Sequence, residues 1–361
     1  MKGLGGRRGV AGVKGRQAAE AGPVSGTDEG RESRQPGADG GTGCGAGGPL
    51  WVVALGGNAI LRHGQRGTYE EQAANLAATA GQLATLIARG DRLVITHGNG
   101  PQVGNLLIQQ EEAASRVPPL PLHACGAMTQ GLLGFMLQQA LERALARRGI
   151  RRPTAVLVTR ALVHRDDPAF ARPDKPIGPF YPEDVARALA RERGWVVAED
   201  AGRGWRRRVP SPDPVAVAEV AVVAQLVAAG VTVVAAGGGG VPVAGDEPVD
   251  AVVDKDLAAA RLAVALDATG LFVLTDVEHV ALDWGTPRAR PLQRVTASEL
   301  AAFRDAGHFA AGSMGPKVEA VLRFVEATGR RAAIGPLERA MDVVDGRAGT
   351  QVVPATAATV A

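Results

Sequence analysis

Lysine is scarce in this chain, and where it occurs its neighbours are unusual. Among 40 basic residues, lysine stands only at Lys2, Lys14, Lys175, Lys255 and Lys317; arginine supplies the rest. Lys175 sits in Pro173-Asp174-Lys175-Pro176-Ile177-Gly178, Lys255 lies between Asp254 and Asp256, and Lys317 follows Gly312-Ser313-Met314-Gly315-Pro316. All three read as lying in loops or helix starts, not on amphipathic helix faces. An ammonium is a compact charge on a flexible stem, suited to following a phosphoryl group as it moves. Phosphoryl transfer needs such charges more than it needs a base. The plainer reading is surface ion pairing, most apt for Lys255 between its two aspartates. Asp254-Lys255-Asp256-Leu257 also has the form of a helix start, where the dipole favours carboxylates. Asp256 reads as functional, orienting Lys255 or Lys317 or holding Mg²⁺ through water. Asp254 stays open between cap and function.

Glycines supply the second signal. Gly56-Gly57-Asn58 follows a first apolar run, Gly98-Asn99-Gly100 a second, and Gly237, Gly238 and Gly239 a third. One glycine pair after a strand is a turn. Three such loops at equivalent strand ends point to an anion site, because backbone N–H groups can then approach an anion closely. None matches the Walker pattern or a clean dinucleotide fingerprint. Thr275-Asp276 closes another strand and reads either as a nucleotide contact or as a plain turn. The six histidines have no metal-ligand spacing; His97, inside a glycine loop, fits a loop-stabilising role at least as well as a chemical one. Arg206-Arg207-Arg208 reads as a solvated run, or as a lure for anions if it belongs to a lid.

These residues must be held by a scaffold, and alternating patterns describe one. Strands are expected at Leu50 to Leu55, Arg92 to Thr96, Thr154 to Thr159, Val231 to Ala236, Leu271 to Thr275, Arg331 to Ile334 and Thr350 to Val353. Helices are expected at Tyr69 to Arg89, Gln130 to Arg148, Val215 to Ala229, Leu257 to Leu266, Ser298 to Asp305 and Lys317 to Thr328. Several strands are uniformly apolar, which indicates a mostly parallel sheet covered on both faces, an α/β fold. Ligands of such sheets bind beyond the carboxyl ends of the strands, where the glycine loops fall. Residues 164–214 are rich in proline and charge and read as an inserted lid subdomain. Residues 1–48 are rich in glycine and poor in large apolar side chains, and read as a disordered tail; residues 49–361 form the folded domain.

Composition narrows the function classes. A formal charge of +3 gives no argument for nucleic acid. Cys44 and Cys125 are the only cysteines, so neither a disulfide framework nor a cysteine metal site is expected. No apolar run is long enough to suggest a membrane span or a secretory signal, which makes the cytosol the default location.

The motifs ALGGNAI (Ala54 to Ile60), THGNGPQVGNLL (Thr96 to Leu107), MTQGLLG (Met128 to Gly134), KPIGPFY (Lys175 to Tyr181), RRVPSPDP (Arg207 to Pro214), GGGGVPV (Gly237 to Val243), VDKDLAAA (Val253 to Ala260), LTDVEHV (Leu274 to Val280) and GSMGPKVEA (Gly312 to Ala320) occur in this order. In them the chain resembles the carbamate kinases of the amino acid kinase superfamily, from about Leu50 to Pro354. The resemblance implies a three-layer αβα sandwich, a small protruding subdomain and a homodimer. It implies reversible phosphoryl transfer between ATP and carbamate, giving ADP and carbamoyl phosphate, with Mg²⁺. The family often runs toward ATP in arginine breakdown. By match of motif, Lys255 and Lys317 would stabilise the transferring group, Asp256 would position them, and Lys175 would reach in from the subdomain. Gly56, Gly57, Asn58, Gly98, Asn99 and Gly100 would bind the carbamoyl phosphate end. Gly237, Gly238, Gly239, Thr275, Asp276, Met314 and Gly315 would lie along the nucleotide. Ala54 and Leu55 stand where many superfamily relatives carry a lysine, which argues against acetylglutamate-type kinases. Phe135 replaces a common tyrosine, and Ile334-Gly335-Pro336-Leu337 replaces a more polar stretch.

Two other readings compete. One is a superfamily kinase with another small acid or phosphate as acceptor. The other is a non-catalytic sensor on the same fold, which would not need all three lysines. A dinucleotide-dependent oxidoreductase would want a fingerprint loop after the first strand, and none is clear.

Overall fold

The computed structural model describes residues 47–200, 202, 204–310 and 312–355. The tail read at residues 1–48 lies outside them, apart from Gly47 and Gly48. Among the described residues the main sheet has eight strands. Leu50–Leu55 lies inside it, parallel to Arg92–His97 on one side and to Gly270–Thr275 on the other. Beyond Arg92–His97 come Thr232–Val234 and then Thr154–Val156, both parallel. Beyond Gly270–Thr275 lies Ala332–Pro336, again parallel, and then Thr350–Val353, the one antiparallel pairing. Arg294–Thr296 closes that edge.

The side-chain period of two divides this sheet between two cores. Trp51, Val53, Leu55, Phe272 and Leu274 face the helices Tyr69–Ala88 and Leu122–Ala146, packing with Leu83, Ile87, Leu133 and Leu137. Val52, Ala54 and Val273 face the helices Lys255–Ala265 and Met314–Thr328, packing with Leu262, Val321 and Phe324. The result is helix, sheet, helix in three layers. Each fully buried Leu, Ile or Phe contributes on the order of 1.5–3 kcal/mol relative to exposure. Strands buried on both faces need no polar alternation, which is why they read as apolar runs.

Helix ends follow local chemistry. Thr68 and Glu71 form a reciprocal cap at the start of Tyr69–Ala88: Thr68 Oγ1 accepts from the Glu71 N–H at 3.3 Å, and Glu71 Oε2 accepts from the Thr68 N–H at 3.1 Å. Other boundaries move. The helix expected from Gln130 begins at Leu122, after Pro121; small and polar residues such as Gly126 and Thr129 in its first turns hide the period. The single helix expected over Val215 to Ala229 is a strand, Pro214–Val217, followed by a helix, Val220–Ala228. Its β-branched start pairs antiparallel with Arg160–Val163, a tertiary contact that overrides the helical pattern. The loop after Arg92–His97 turns directly into a helix, Gly100–Ala113, with Pro101 in its first turn, where the missing N–H costs nothing.

Within the region read as a lid, Lys175–Tyr181, Trp205–Val209 and Val196–Glu199 form a separate antiparallel sheet in that order, with the helix Glu183–Arg193 beside it. Lys175 thus begins a strand instead of lying in a loop. Few side chains in this sheet are fully buried; Ile177 and Val209 are the main ones. Arginines stacked on aromatics supplement that core. Arg207 lies 4.8 Å from the Trp195 ring centre, Arg206 5.0 Å from Phe180 and Arg187 4.7 Å from Trp205. The Arg206-Arg207-Arg208 run is therefore part of a strand with specific partners, not a solvated stretch; Arg208 also donates to the carbonyls of Asp174 and Glu199, both at 2.8 Å.

Candidate active site

The parallel strands end on one side of the sheet, and a cleft of about 380 Å³ opens there. Gly57 and Asn58 come to it from the end of Leu50–Leu55, and Gly98, Asn99 and Gly100 from the end of Arg92–His97. Gly238 reaches it from the turn after Thr232–Val234, and Thr275 and Asp276 from the end of Gly270–Thr275. Lys175, Lys255, Asp256 and Lys317 also line it.

Three of these charged groups, Lys255, Asp256 and Lys317, are tied together. Asp256 is buried, with its side chain 3% exposed, and each of its oxygens takes one lysine. Lys255 Nζ donates to Oδ1 at 2.5 Å, and Lys317 Nζ donates to Oδ2 at 2.9 Å. Burial pushes the Asp256 carboxyl up, but the two ammoniums and their hydrogen bonds outweigh it and hold the group well below the usual carboxylate range. Burial pushes Lys255 down, and this prevails over the attraction of Asp256, with Lys317 repelling it as well. Lys317 is also penalised by burial, yet Asp256, Asp254 and Asp276 lift it above the ordinary lysine value.

Asp254 is a helix cap, and it also meets a lysine. Its Oδ1 caps the helix Lys255–Ala265, accepting from the Asp256 N–H at 2.8 Å and the Leu257 N–H at 3.4 Å. Its Oδ2 accepts from Lys175 Nζ at 2.5 Å. The cap and the lysine contact therefore share one carboxylate.

The glycine loops divide into two kinds. At Gly98 an added Cβ would meet only the Lys255 stem, at 3.4 Å, so the lysine lies against bare backbone. Gly238 has φ +62, and a Cβ there would stand 2.2 Å from Asn99 Nδ2. Asn99 is itself fixed from behind, its Nδ2 donating to Thr129 Oγ1 at 2.8 Å. Gly237 and Gly239 are not part of the cleft lining; they are packing positions. A Cβ on Gly237 would stand 2.5 Å from His97 Nε2, and one on Gly239 2.3 Å from the Val253 carbonyl oxygen. Gly56 also lies behind the lining, its N–H donating to the Leu274 carbonyl at 2.7 Å. Met314 and Gly315 open the helix Met314–Thr328 but do not line the cleft, where Gly312, Ser313 and Lys317 stand on that side.

His97 takes the loop-stabilising role. Its Nδ1–H donates to the Gly98 carbonyl at 2.9 Å, and burial, with Lys255 nearby, pushes the imidazole down, toward the neutral form. Asp276 accepts from Thr275 Oγ1 at 3.0 Å and from Asn58 Nδ2. Among the described residues it is the cleft carboxylate that accepts no hydrogen bond from a lysine, and it can accept further hydrogen bonds. Mg²⁺ is bound largely by phosphate oxygens and water, with one or two carboxylates; Asp276 fits that demand. No cluster of three or more acidic, histidine or cysteine ligands occurs among the described residues.

Sequence reasoning missed Gln102, which lines the cleft and donates to Gln72 at 2.9 Å, although it stands inside a quoted motif. It also missed the support beneath the glycine turn. Gln130 Oε1 accepts from the Thr159 N–H and Oγ1–H, both at 3.0 Å, and Thr159 Oγ1 accepts from the Ala236 N–H at 2.7 Å. Ala236 there has φ +51, a left-handed conformation rare for a residue with a side chain.

The profile of the amino acid kinase family matches residues 49–335. Over 309 residues the chain is 50% identical to a carbamate kinase of Pyrococcus furiosus, spanning 84% of this chain and 98% of that protein. It is 40% identical over 308 residues to a carbamate kinase of Giardia intestinalis, spanning 84% and 97%. The solved structure of carbamate kinase from Giardia lamblia bound to AMP-PNP has a TM-score of 0.79 at 40% identity, covering 86% of this chain and 99% of that one. Sequence profile, near full-length identity and fold agree: the chain belongs to the amino acid kinase family, among its carbamate kinases.

Proposed function

We propose that the protein catalyses phosphoryl transfer between carbamoyl phosphate and ADP, yielding carbamate and ATP, and the reverse. The observation that carries this is the bridge Lys255–Asp256–Lys317 in the cleft that the glycine loops also line. In the ATP-forming direction, a β-phosphate oxygen of ADP bonds to phosphorus while the bond from phosphorus to the carbamate oxygen breaks. The electron pair leaves with carbamate. No side chain needs to take a proton. What the site must supply is positive charge along the line of transfer.

Lys255 and Lys317 stabilise the equatorial oxygens of the transferring group. Asp256 holds both ammoniums at fixed positions before substrate arrives, so little reorganisation remains at the moment of transfer. Lys175, held by Asp254, adds a third charge from the small subdomain. Gly57, Asn58 and the Gly98–Gly100 loop bind the carbamoyl phosphate end, helped by the N-terminus of Gly100–Ala113. The nucleotide lies on the side of Thr275, Asp276 and Ser313. That a Giardia lamblia relative was solved bound to AMP-PNP supports an adenine nucleotide as substrate. Asp276 would help hold Mg²⁺, which would supply charge neutralisation when bound. A cytosolic location, and supply of carbamoyl phosphate from arginine breakdown, belong to the same reading.

The test is direct. Purified protein given ADP, Mg²⁺ and carbamoyl phosphate should form ATP well above the non-enzymatic background, followed by a coupled luminescent or spectrophotometric assay. ATP at background level would sink the proposal. Acetyl phosphate offered in place of carbamoyl phosphate separates it from a kinase for another small acid.

We also infer a homodimer. Met128, Leu132 and Phe135 share one face of the helix Leu122–Ala146 and are 43%, 44% and 49% exposed, and Val158 is 52% exposed. A second copy would cover this apolar stripe. Light scattering coupled to gel filtration should give twice the chain mass, and Leu132→Glu should halve it. A monomeric wild-type protein at micromolar concentration would overturn this.

A further inference from the structure

Lys175 enters the cleft from outside the main sheet, so its position depends on how its strand is mounted. Lys175–Tyr181 lies against the helix Gly100–Ala113. Ile177 is 1% exposed and packs with Val103, Leu107, Leu122, Cys125 and Val209 in a small cluster separate from the two cores that flank the sheet. Beside it the two backbones meet. A Cβ added at Gly104 would stand 2.1 Å from Gly178 Cα and 2.3 Å from Gly178 N. Backbone cannot rotate out of the way, so no side chain fits at residue 104. Gly178 has φ +73, and its carbonyl accepts from Arg206 Nε at 2.9 Å, which ties it to the rest of the small sheet.

Farther along the helix, Glu111 pairs with Arg193 and, at 3.6 Å, with Arg207. Gly104, Leu107 and Glu111 are spaced three and four residues apart and so share one helix face. That face carries the bare contact, the apolar contact and the ionic contact. The start of the same helix, Gly100 to Gln102, lines the cleft. One rigid element therefore carries both the loop that would bind the acid and the surface on which the Lys175 strand rests.

We propose that Gly104 and Glu111 are positioning residues for Lys175, setting its place at the transferring phosphoryl group without touching substrate. This rests on the assignment of Lys175 to that group made above. A displacement of about 1 Å at a catalytic group costs up to about 100-fold in rate.

The experiment is a double-mutant cycle with the full-length protein, read by steady-state kinetics toward ATP and by thermal melting. Gly104→Ala should lower kcat by about 10- to 100-fold with the KM for ADP held within about twofold. Glu111→Gln, which keeps the side-chain shape at a partly exposed position, should lower kcat several-fold, and it carries the test if Gly104→Ala does not fold. In the Lys175→Ala background either change should add less than about twofold, because the group being positioned is gone. Effects that multiply in that background, or wild-type kcat in both single variants, would leave Gly104 and Glu111 as packing residues and overturn the inference. A wild-type kcat for Lys175→Ala alone is a different outcome: it removes the role assigned to Lys175, and this inference with it.

Discussion

Lys317→Ala should lower kcat by about 10³-fold, on the order of 4 kcal/mol of transition-state stabilisation. The loss falls on kcat more than on the KM for either substrate, because the ammonium acts on charge that rearranges during transfer. Folding survives. Asp256 keeps Lys255 at 2.5 Å, so no buried carboxylate is left unpaired. The apolar contacts of the helix Met314–Thr328, through Val321 and Phe324, are untouched. A melting temperature within a few degrees of wild type, together with the loss of turnover, is the expected pair of results. Turnover within tenfold of wild type would show that the charge-stabilisation reading of this lysine is wrong.

Asp256→Asn has a different signature, because it disturbs both activity and stability. Two ammoniums then face each other in a buried site without their anion. Breaking a buried pair from one side costs about 3–5 kcal/mol when the remaining charge persists. Lys255 is already pushed below the usual lysine range by burial, so it responds by giving up its proton more readily. In the wild type, kcat should fall on the alkaline side as Lys255 loses its proton, at a pH below that of an ordinary lysine. In Asp256→Asn that limb should move lower still, since the anion that opposes the burial term is gone.

The acid side gives the sign of the stability term. Asp256 has a folded-state pKa below its unfolded value. Such a carboxyl contributes stability that is fully present above the unfolded value and is lost as pH falls toward the folded one. The stability gap between wild type and Asp256→Asn should therefore be widest near neutral pH. It should narrow as pH drops below the ordinary carboxylate range. Denaturant unfolding at a series of pH values measures both curves; a gap that widens in acid would contradict the assigned ion pairs.

Much of this was legible in the sequence. Uniformly apolar runs identified strands buried on two faces, and glycines at their ends marked where a cleft would open. The rarity of lysine singled out Lys175, Lys255 and Lys317, and all three line that cleft. Each of these signals is local: a run, a turn residue, or a residue type out of keeping with its surroundings. Propensity and periodicity act over a few residues, so they survive in a bare sequence. The same local rules failed where a distant partner intervened. Pro214–Val217 became a strand because Arg160–Val163 offered it a ladder. The arginine run read as solvated because the aromatics it stacks on, Phe180 and Trp195, are not its sequence neighbours.

Tertiary structure decided the long-range charge contacts. Lys317 reaches Asp256 across 61 residues, and Lys175 reaches Asp254 across 79. Nothing in the composition of either segment specifies these partners; strand order and the mounting of the small sheet do. The glycines were sorted in the same way. Gly57, Gly98 and Gly238 face the cleft, whereas Gly237 and Gly239 are glycine because His97 and the Val253 carbonyl leave no room for a Cβ. The sequence by itself thus determined the α/β scaffold and the chemical type of the three lysines. Only the tertiary structure turned them into a site, because an ammonium becomes a preorganised charge when a buried carboxylate fixes where it points, and for Lys317 and Lys175 that carboxylate comes from another part of the chain.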